Sequence, residues 1–228
     1  MHIEPGVVSG AKMALSYATA AASAGLAAKM ALDTIRRDGG VVALLGRAVA
    51  ATLLVLIFFE IFPHYAVGVS EVHLILGTTL YLILGAGPAA IGLAAGLLLQ
   101  GVLFAPADLP QYAINVTTLI VPLWAVSLLA RRIIPAGTAY VDVSYAQALA
   151  LSSAYQGGIV AWVAFWALYG HGMGAENLAS IGTFGAAYLA VIILEPLADL
   201  GVLAIAKWAT RGRGTPLLTA RLTRPAAA

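Results

Sequence analysis

An all-helical, polytopic membrane fold is what this sequence predicts, and three observations predict it. Hydrophobic residues make up 61% of the 228 residues, against roughly 45–50% in soluble domains. Charged residues are 10%, against about 25%, too few to cover a soluble globule. The apolar residues gather into runs near the ~20 residues that cross a bilayer, and these runs lack the alternation of an outer-membrane barrel. A disordered chain, a nucleic-acid binder and a water-soluble enzyme are poor readings of such a composition. Cysteine is absent, which excludes disulfides, thiolate metal sites and cysteine nucleophiles.

Apolar runs bounded by charge, Gly or Pro give the elements in order. Span 1 is about Val7–Met30 and Ala-rich, and span 2 is about Val41–Phe62. Two shorter runs, about Val72–Leu84 and Ala89–Phe104, flank the turn signal Gly85-Ala86-Gly87-Pro88. Span 5 is about Tyr112–Ala130, span 6 about Ala146–Tyr169 and span 7 about Leu178–Ala206, with Pro196 inside it. With seven spans, eleven of the twelve Lys and Arg residues fall on one side, and Lys12 alone on the other. By the positive-inside rule the N-terminus is outside and the C-terminus cytoplasmic. The first ten residues carry no basic n-region and no cleavage site of a secretory signal. No linker or repeat divides the chain, so residues 1–228 read as one transmembrane domain. Residues 1–6 form an outward N-terminal segment and residues 207–228 a basic cytoplasmic tail beside anionic headgroups.

Two small-residue rows in span 1, Ala14–Ala18–Ala22 and Ala20–Ala24–Ala28, permit close helix approach in lipid. They serve either internal packing or the docking of another membrane subunit.

The four histidines, His2, His64, His73 and His171, all fall on the outer side. His2 is distinctive by position. The Met1 amine, the residue-2 amide and the His2 imidazole can close a five- and a six-membered chelate ring around one metal ion. That planar set of three nitrogens suits Ni(II) and Cu(II) and needs a fourth ligand, one more imidazole from elsewhere in the fold. The plain alternative is that His2 is merely the second residue of a tail. Glu60 and His64, four apart before and after Pro63, read as a hydrogen-bonded pair. Glu195 and Asp199 share one face of span 7. They could meet a basic residue of a partner, form a proton path, or mark where the span reaches the inner interface.

Four segments resemble the substrate-binding subunits of energy-coupling-factor transporters for cobalt and nickel, the CbiM/NikM type. They are Met1-His2-Ile3-x-x-Gly6, Gly68-Val69-Ser70-Glu71-Val72-His73-Leu74, Leu98-Leu99-Gln100-Gly101-Val102-Leu103-Phe104 and Ala113-Ile114-Asn115-Val116. They resemble the family's M-H-I-x-[DE]-G, G-x-S-x-H-L, L-x-Q-x-L-x-F and G-x-N-V runs, in the family's order. Glu4-Pro5 departs from the usual order, and the second segment carries an extra residue. The resemblance covers roughly residues 1–120. It implies that Met1 supplies the amine, His2 its amide and imidazole, and His73 the imidazole at the fourth corner, while Asn115 holds the N-terminal segment over the site. It also implies Co2+ or Ni2+ as transported substrate with no organic cofactor. The implied partners are a transmembrane coupling (T) subunit and ATPase subunits, with or without a small accessory membrane subunit. The third run, ~13 residues and about 20 Å long, suits a recessed His73. His64 and His171 match no family segment and read as interface residues.

No G-x-x-x-x-G-K-[ST] occurs, so ATP hydrolysis is left to other subunits. G-x-S-x-G and H-E-x-x-H are also absent. The competing readings are a haem-ligating membrane redox subunit and a structural membrane protein without metal.

Overall fold

Extended chain rather than helix occupies the first residues of the computed structural model, which describes residues 3–209. Gly6 and Gly10 both take positive φ, 94° and 59°, and residues 3–8 form a bridge and turns. The first helix therefore begins six residues later than hydropathy alone suggests. Among the described residues seven α-helices follow: α1 (Met13–Arg37), α2 (Gly40–Glu60), α3 (Gly77–Leu84), α4 (Ala86–Leu103), α5 (Tyr112–Ile133), α6 (Tyr145–His171) and α7 (Ala175–Ala209). Two short strands, β1 (Tyr65–Val67) and β2 (Ser70–Val72), separate α2 from α3.

Five stretches are long and apolar enough to cross a membrane: α2, α4, α5 with the turn before it, α6 and α7. Their outward side chains are aliphatic, among them Val49 and Leu53 on α2 and Ile193 and Leu197 on α7. Helices apolar on both inner and outer faces are at home in lipid. The chain is a multi-pass helical membrane protein.

The third span differs from its expected form. Val72 and the residues before it pair as a hairpin, and helix starts only at Gly77. Eight residues reach about 12 Å, so α3 is a half-length helix. It sits among α2, α4, α5, α6 and α7, with every residue buried except Ile83. Around it α2 packs along α4, α1 lies against α4 and α5, and α5, α6 and α7 follow in sequence.

The hairpin pairs Tyr65 with Val72, Ala66 with Glu71 and Val67 with Ser70. Gly68, at φ 63°, opens its two-residue turn, the position where a hairpin of this kind takes glycine. A Cβ there would lie 2.2 Å from the Ser180 carbonyl oxygen, so the turn tip packs directly on the α7 backbone.

The two ends of the bundle are unlike in charge. Asp33 of α1 meets Lys29 at 3.2 Å and Arg131 of α5 at 3.8 Å. Lys207 of α7 lies over the Tyr145 ring at the start of α6. Asp38 pairs with the buried Arg47 at 2.7 Å. At the opposite end the Lys12 ammonium donates to the Gly170 carbonyl at 2.7 Å. The described part of the basic tail ends at Ala209, and its residues from Thr210 onward lie outside the described residues.

The small-residue rows of α1 do not pack internally. Ala14, Ala18, Ala22, Ala24 and Ala28 are exposed, and Ala20 is half-buried. The buried face of α1 is instead Ser16, Ser23, Met30 and Thr34.

Candidate metal centre

The site end is assembled by backbone pairing. Ile3 bridges to Ser70 in antiparallel fashion, and the Glu4 amide donates to the Val69 carbonyl at 3.1 Å. The N-terminal segment thus docks on the free edge of β2 through a single bridge and one further backbone bond. Asn115, in the first turn of α5 and 2% exposed, accepts the Ile3 N–H on its Oδ1 at 2.9 Å. Gln111 donates to the Val8 carbonyl at 3.2 Å. The segment is sealed from the other side by α6, because a Cβ on Gly170 would lie 1.9 Å from the Val7 carbonyl oxygen. Ile3, Val7 and Val8 are buried, so this tail is part of the packed interior.

His73 follows β2 and is 1% exposed. Its Nε2 lies 2.8 Å from Glu71 Oε2, as strand geometry allows, since residues two apart share a face. A carboxylate beside an imidazole sets the tautomer and raises ring basicity. The Phe59 ring lies 5.2 Å away. His64, expected to be a bare interface residue, stacks on His73 with ring centroids 4.9 Å apart and planes 7° apart. The pairing of 65 with 72 explains it, because 64 and 73 are the next pair on the same ladder. The expected Glu60–His64 hydrogen bond does not form; His64 Nδ1 lies 3.3 Å from the Phe62 carbonyl.

Parallel stacked imidazoles cannot both turn their in-plane lone pairs on one ion between them. Nor can they take opposite faces of one porphyrin, so the His64–His73 pair does not suit haem. His171 ends α6 and is exposed.

Carboxylates surround the N-terminal segment. Burial pushes the Glu4 carboxyl above its ordinary range, and repulsion from Glu71 and then Asp108 adds to the rise. Such a field draws cations toward this end.

Of the four residues implied for the site, His73 and Asn115 fall within the described residues and Met1 and His2 lie outside them. Among the described residues no three His, Cys, Asp or Glu side chains converge as metal ligands. The Asn115 Nδ2 is buried and makes no hydrogen bond among the described residues.

Glu195 and Asp199 do not mark an early exit of span 7 from the bilayer. They are 0% and 2% exposed, inside the bundle. Glu195 accepts the backbone N–H groups of Ile75 and Leu76 and the Gln156 amide. Asp199 accepts the Thr79 hydroxyl. Sequence reading flagged both acids but missed Gln156, Tyr188 and Thr79, because nothing in a sequence pairs residues so far apart.

Apolar helices around a buried polar centre, with most of the described basic residues at the far end, define a multi-pass helical membrane protein. The family model for the cobalt uptake substrate-specific transmembrane region, CbiM, matches residues 2–210, and the chain belongs to that family. The match extends well past residue 120, where recognisable sequence segments end. Comparison with curated proteins and with solved structures gives no match. The chain is a membrane component of cobalt uptake, of a kind that works with other transporter subunits and belongs to no known enzyme family.

Proposed function

We propose that this chain is the substrate-capture subunit of an energy-coupling-factor transporter. It takes Co2+ or Ni2+ at the outer face of a bacterial plasma membrane. The ligands are the Met1 amine, the His2 amide and imidazole nitrogens, and the His73 imidazole, with Asn115 anchoring the segment that carries the first three. One observation carries this reading: Ile3 is bound on both sides, to Asn115 and to Ser70. Ser70 lies three residues before His73. At ~3.3–3.6 Å per residue, the two residues ahead of Ile3 are within reach of the buried imidazole.

The remaining architecture follows from the same reading. Residues 1–228 form one domain. Seven crossings, with α1 and the half-length α3 completing the five apolar spans, leave the N-terminus outside and the C-terminus inside. Asp33 between Lys29 and Arg131 supports placing the basic ends of α1 and α5 on one side. The exposed alanine face of α1 suits close packing against the coupling subunit, through which ATPase subunits drive uptake. A small accessory subunit fits the same scheme.

The test is equilibrium titration of purified protein with Co2+ and with Ni2+. One added residue before Met1 displaces the amine from the chelate plane. The extended chain should bind at least 10–100-fold more weakly, the loss that even outer-sphere changes produce. Native affinity in the extended chain would overturn the chelate.

A further inference from the structure

Two buried acids on α7, one turn apart, have different tasks. Asp199 meets residues within the helices, the Thr79 hydroxyl and N–H of α3 and the Ser152 hydroxyl of α6. Glu195 meets the backbone just ahead of α3. Its Oε1 accepts from both Ile75, at 2.9 Å, and Leu76, immediately ahead of the first turn of α3. Its Oε2 accepts from Gln156 of α6, whose Oε1 in turn accepts the Tyr188 hydroxyl at 2.9 Å. Glu195, Gln156, Tyr188 and Ile75 are all 0–1% exposed.

Leu76 shows what this arrangement holds. Its φ is 52°, the one positive φ at a non-glycine residue among those described. A leucine in that region is an outlier that persists where its surroundings over-determine it. Here the turn brings two successive amide N–H groups onto one carboxylate oxygen. A carboxylate is an acceptor only, with two oxygens for several donors. At the start of a helix it also meets the positive end of the helix dipole. Local Ser or Asp capping would satisfy such amides from within the same segment. This segment takes its partner from α7, some 120 residues away, and so ties residues 75–76 to the α6–α7 pair.

His73 stands two residues before Ile75. Its upstream side is fixed by the hairpin, where Val72 pairs with Tyr65, and its downstream side by Glu195. We propose that Glu195, itself oriented by Gln156 and Tyr188, is a positioning residue for His73. It clamps the Ile75–Leu76 backbone so that the imidazole stands where a divalent transition metal requires it. The proposal deepens the metal-capture reading and rests on it.

Full-length Glu195→Ala, Glu195→Gln and Asp199→Asn variants, purified in detergent, test the clamp by two measurements. Amide hydrogen exchange across residues 73–77 of the metal-free protein reads the clamp with no metal involved. Glu195→Ala should expose that segment to fast exchange, while Glu195→Gln keeps an oxygen acceptor and most of the protection. Co2+ titration read by visible absorption reports affinity and ligand geometry. Glu195→Ala should weaken binding about 10–100-fold and shift the ligand-field bands. Glu195→Gln should restore affinity to within a few-fold. Asp199→Asn replaces an equally buried carboxyl group on the same helix and should leave the bands unmoved. If Glu195→Ala proves too unstable to purify, Gln156→Ala, which removes one of the bonds orienting the carboxylate, should show a smaller shift in the same direction.

Wild-type exchange at residues 75–76 in Glu195→Ala overturns the proposal. So does an Asp199→Asn variant as impaired in Co2+ binding as Glu195→Ala, which would make the effect one of burial. A wild-type chain that binds neither Co2+ nor Ni2+ overturns the metal reading instead, and the exchange data still decide whether Glu195 clamps the segment.

Discussion

The two ends of the bundle hold their polar residues in different ways. At the basic end, Asp33 meets Lys29 and Arg131 through side chains that are mostly solvated, 63% and 61% exposed for the two cations. Exposed ion pairs of this sort contribute about 0–1 kcal/mol. At the site end and in the bundle interior below it, the polar groups are buried and bound to backbone: Asn115 to Ile3, Gln111 to Val8, Glu195 to Ile75 and Leu76. Losing one partner of a buried bond leaves the other unsatisfied, at about 1–3 kcal/mol. Charge at one end suffices to orient the protein in a membrane, which needs only a sign. The proposed site at the other end must place individual nitrogen atoms, and there buried side chains hold the backbone.

That contrast can be broken or sharpened by substitution. The largest effect belongs to the ligands. His2→Ala or His73→Ala should lower Co2+ and Ni2+ affinity by at least 10–100-fold, with some weak binding left in His73→Ala where water fills the corner. Binding of the native chain should also fall as pH drops below about 8. An amine with an ordinary pKa near 7.7–8.0 and imidazoles near 6.5 must release protons to coordinate. Titrations at pH 6 and pH 8 check the sign; equal affinity at both would remove the amine and imidazole from the ligand set.

Next is Gly170→Ala. In a helix, Ala is ordinarily favoured over Gly by about 0.5–1 kcal/mol. Here the new Cβ would collide with the Val7 carbonyl and push the N-terminal segment off the site. Metal affinity should fall while the helical content by circular dichroism is kept. Unchanged affinity would show that the seating of residues 3–8 is immaterial.

A smaller effect is expected at His64. Its ring covers His73 without being able to share an ion with it, so His64→Ala should change affinity only a few-fold, and His171→Ala should leave it unaltered. A loss in His64→Ala as large as that in His73→Ala would promote His64 to a ligand. The smallest effect should follow Asp33→Asn at the basic end, a shift in thermal midpoint near the limit of measurement and no change in metal binding.

Much of this protein is legible in its residues. Aliphatic runs of bilayer length announce membrane helices because the hydrophobic term depends on composition and length. The positions of Lys29, Arg36, Arg37, Arg131 and Arg132 mark one side for a similar reason, since charge is a local property. The segments around His2, His73 and Asn115 could be recognised by their resemblance to the family, whose match runs over residues 2–210. The hairpin escaped the hydropathy reading because residues 65–71 fell between two apolar runs, and the extended residues 72–76 were merged with the helix that follows, which a window average cannot separate from them. Gly68 between Val67 and Val69 was the available signal, and it would have placed His64 opposite His73.

What only the tertiary structure decided is who faces whom across long sequence separations. Ile3 meets Asn115 across 112 residues and Ile75 meets Glu195 across 120. Such pairs leave no periodicity, because each is a single contact between elements whose own patterns are set by their lipid and core faces. A buried carboxylate reads the same in sequence whether it caps a helix, moves a proton or awaits a partner. Desolvation makes it bind whichever donors the packed fold brings to it, and here packing brought the two amides that follow His73.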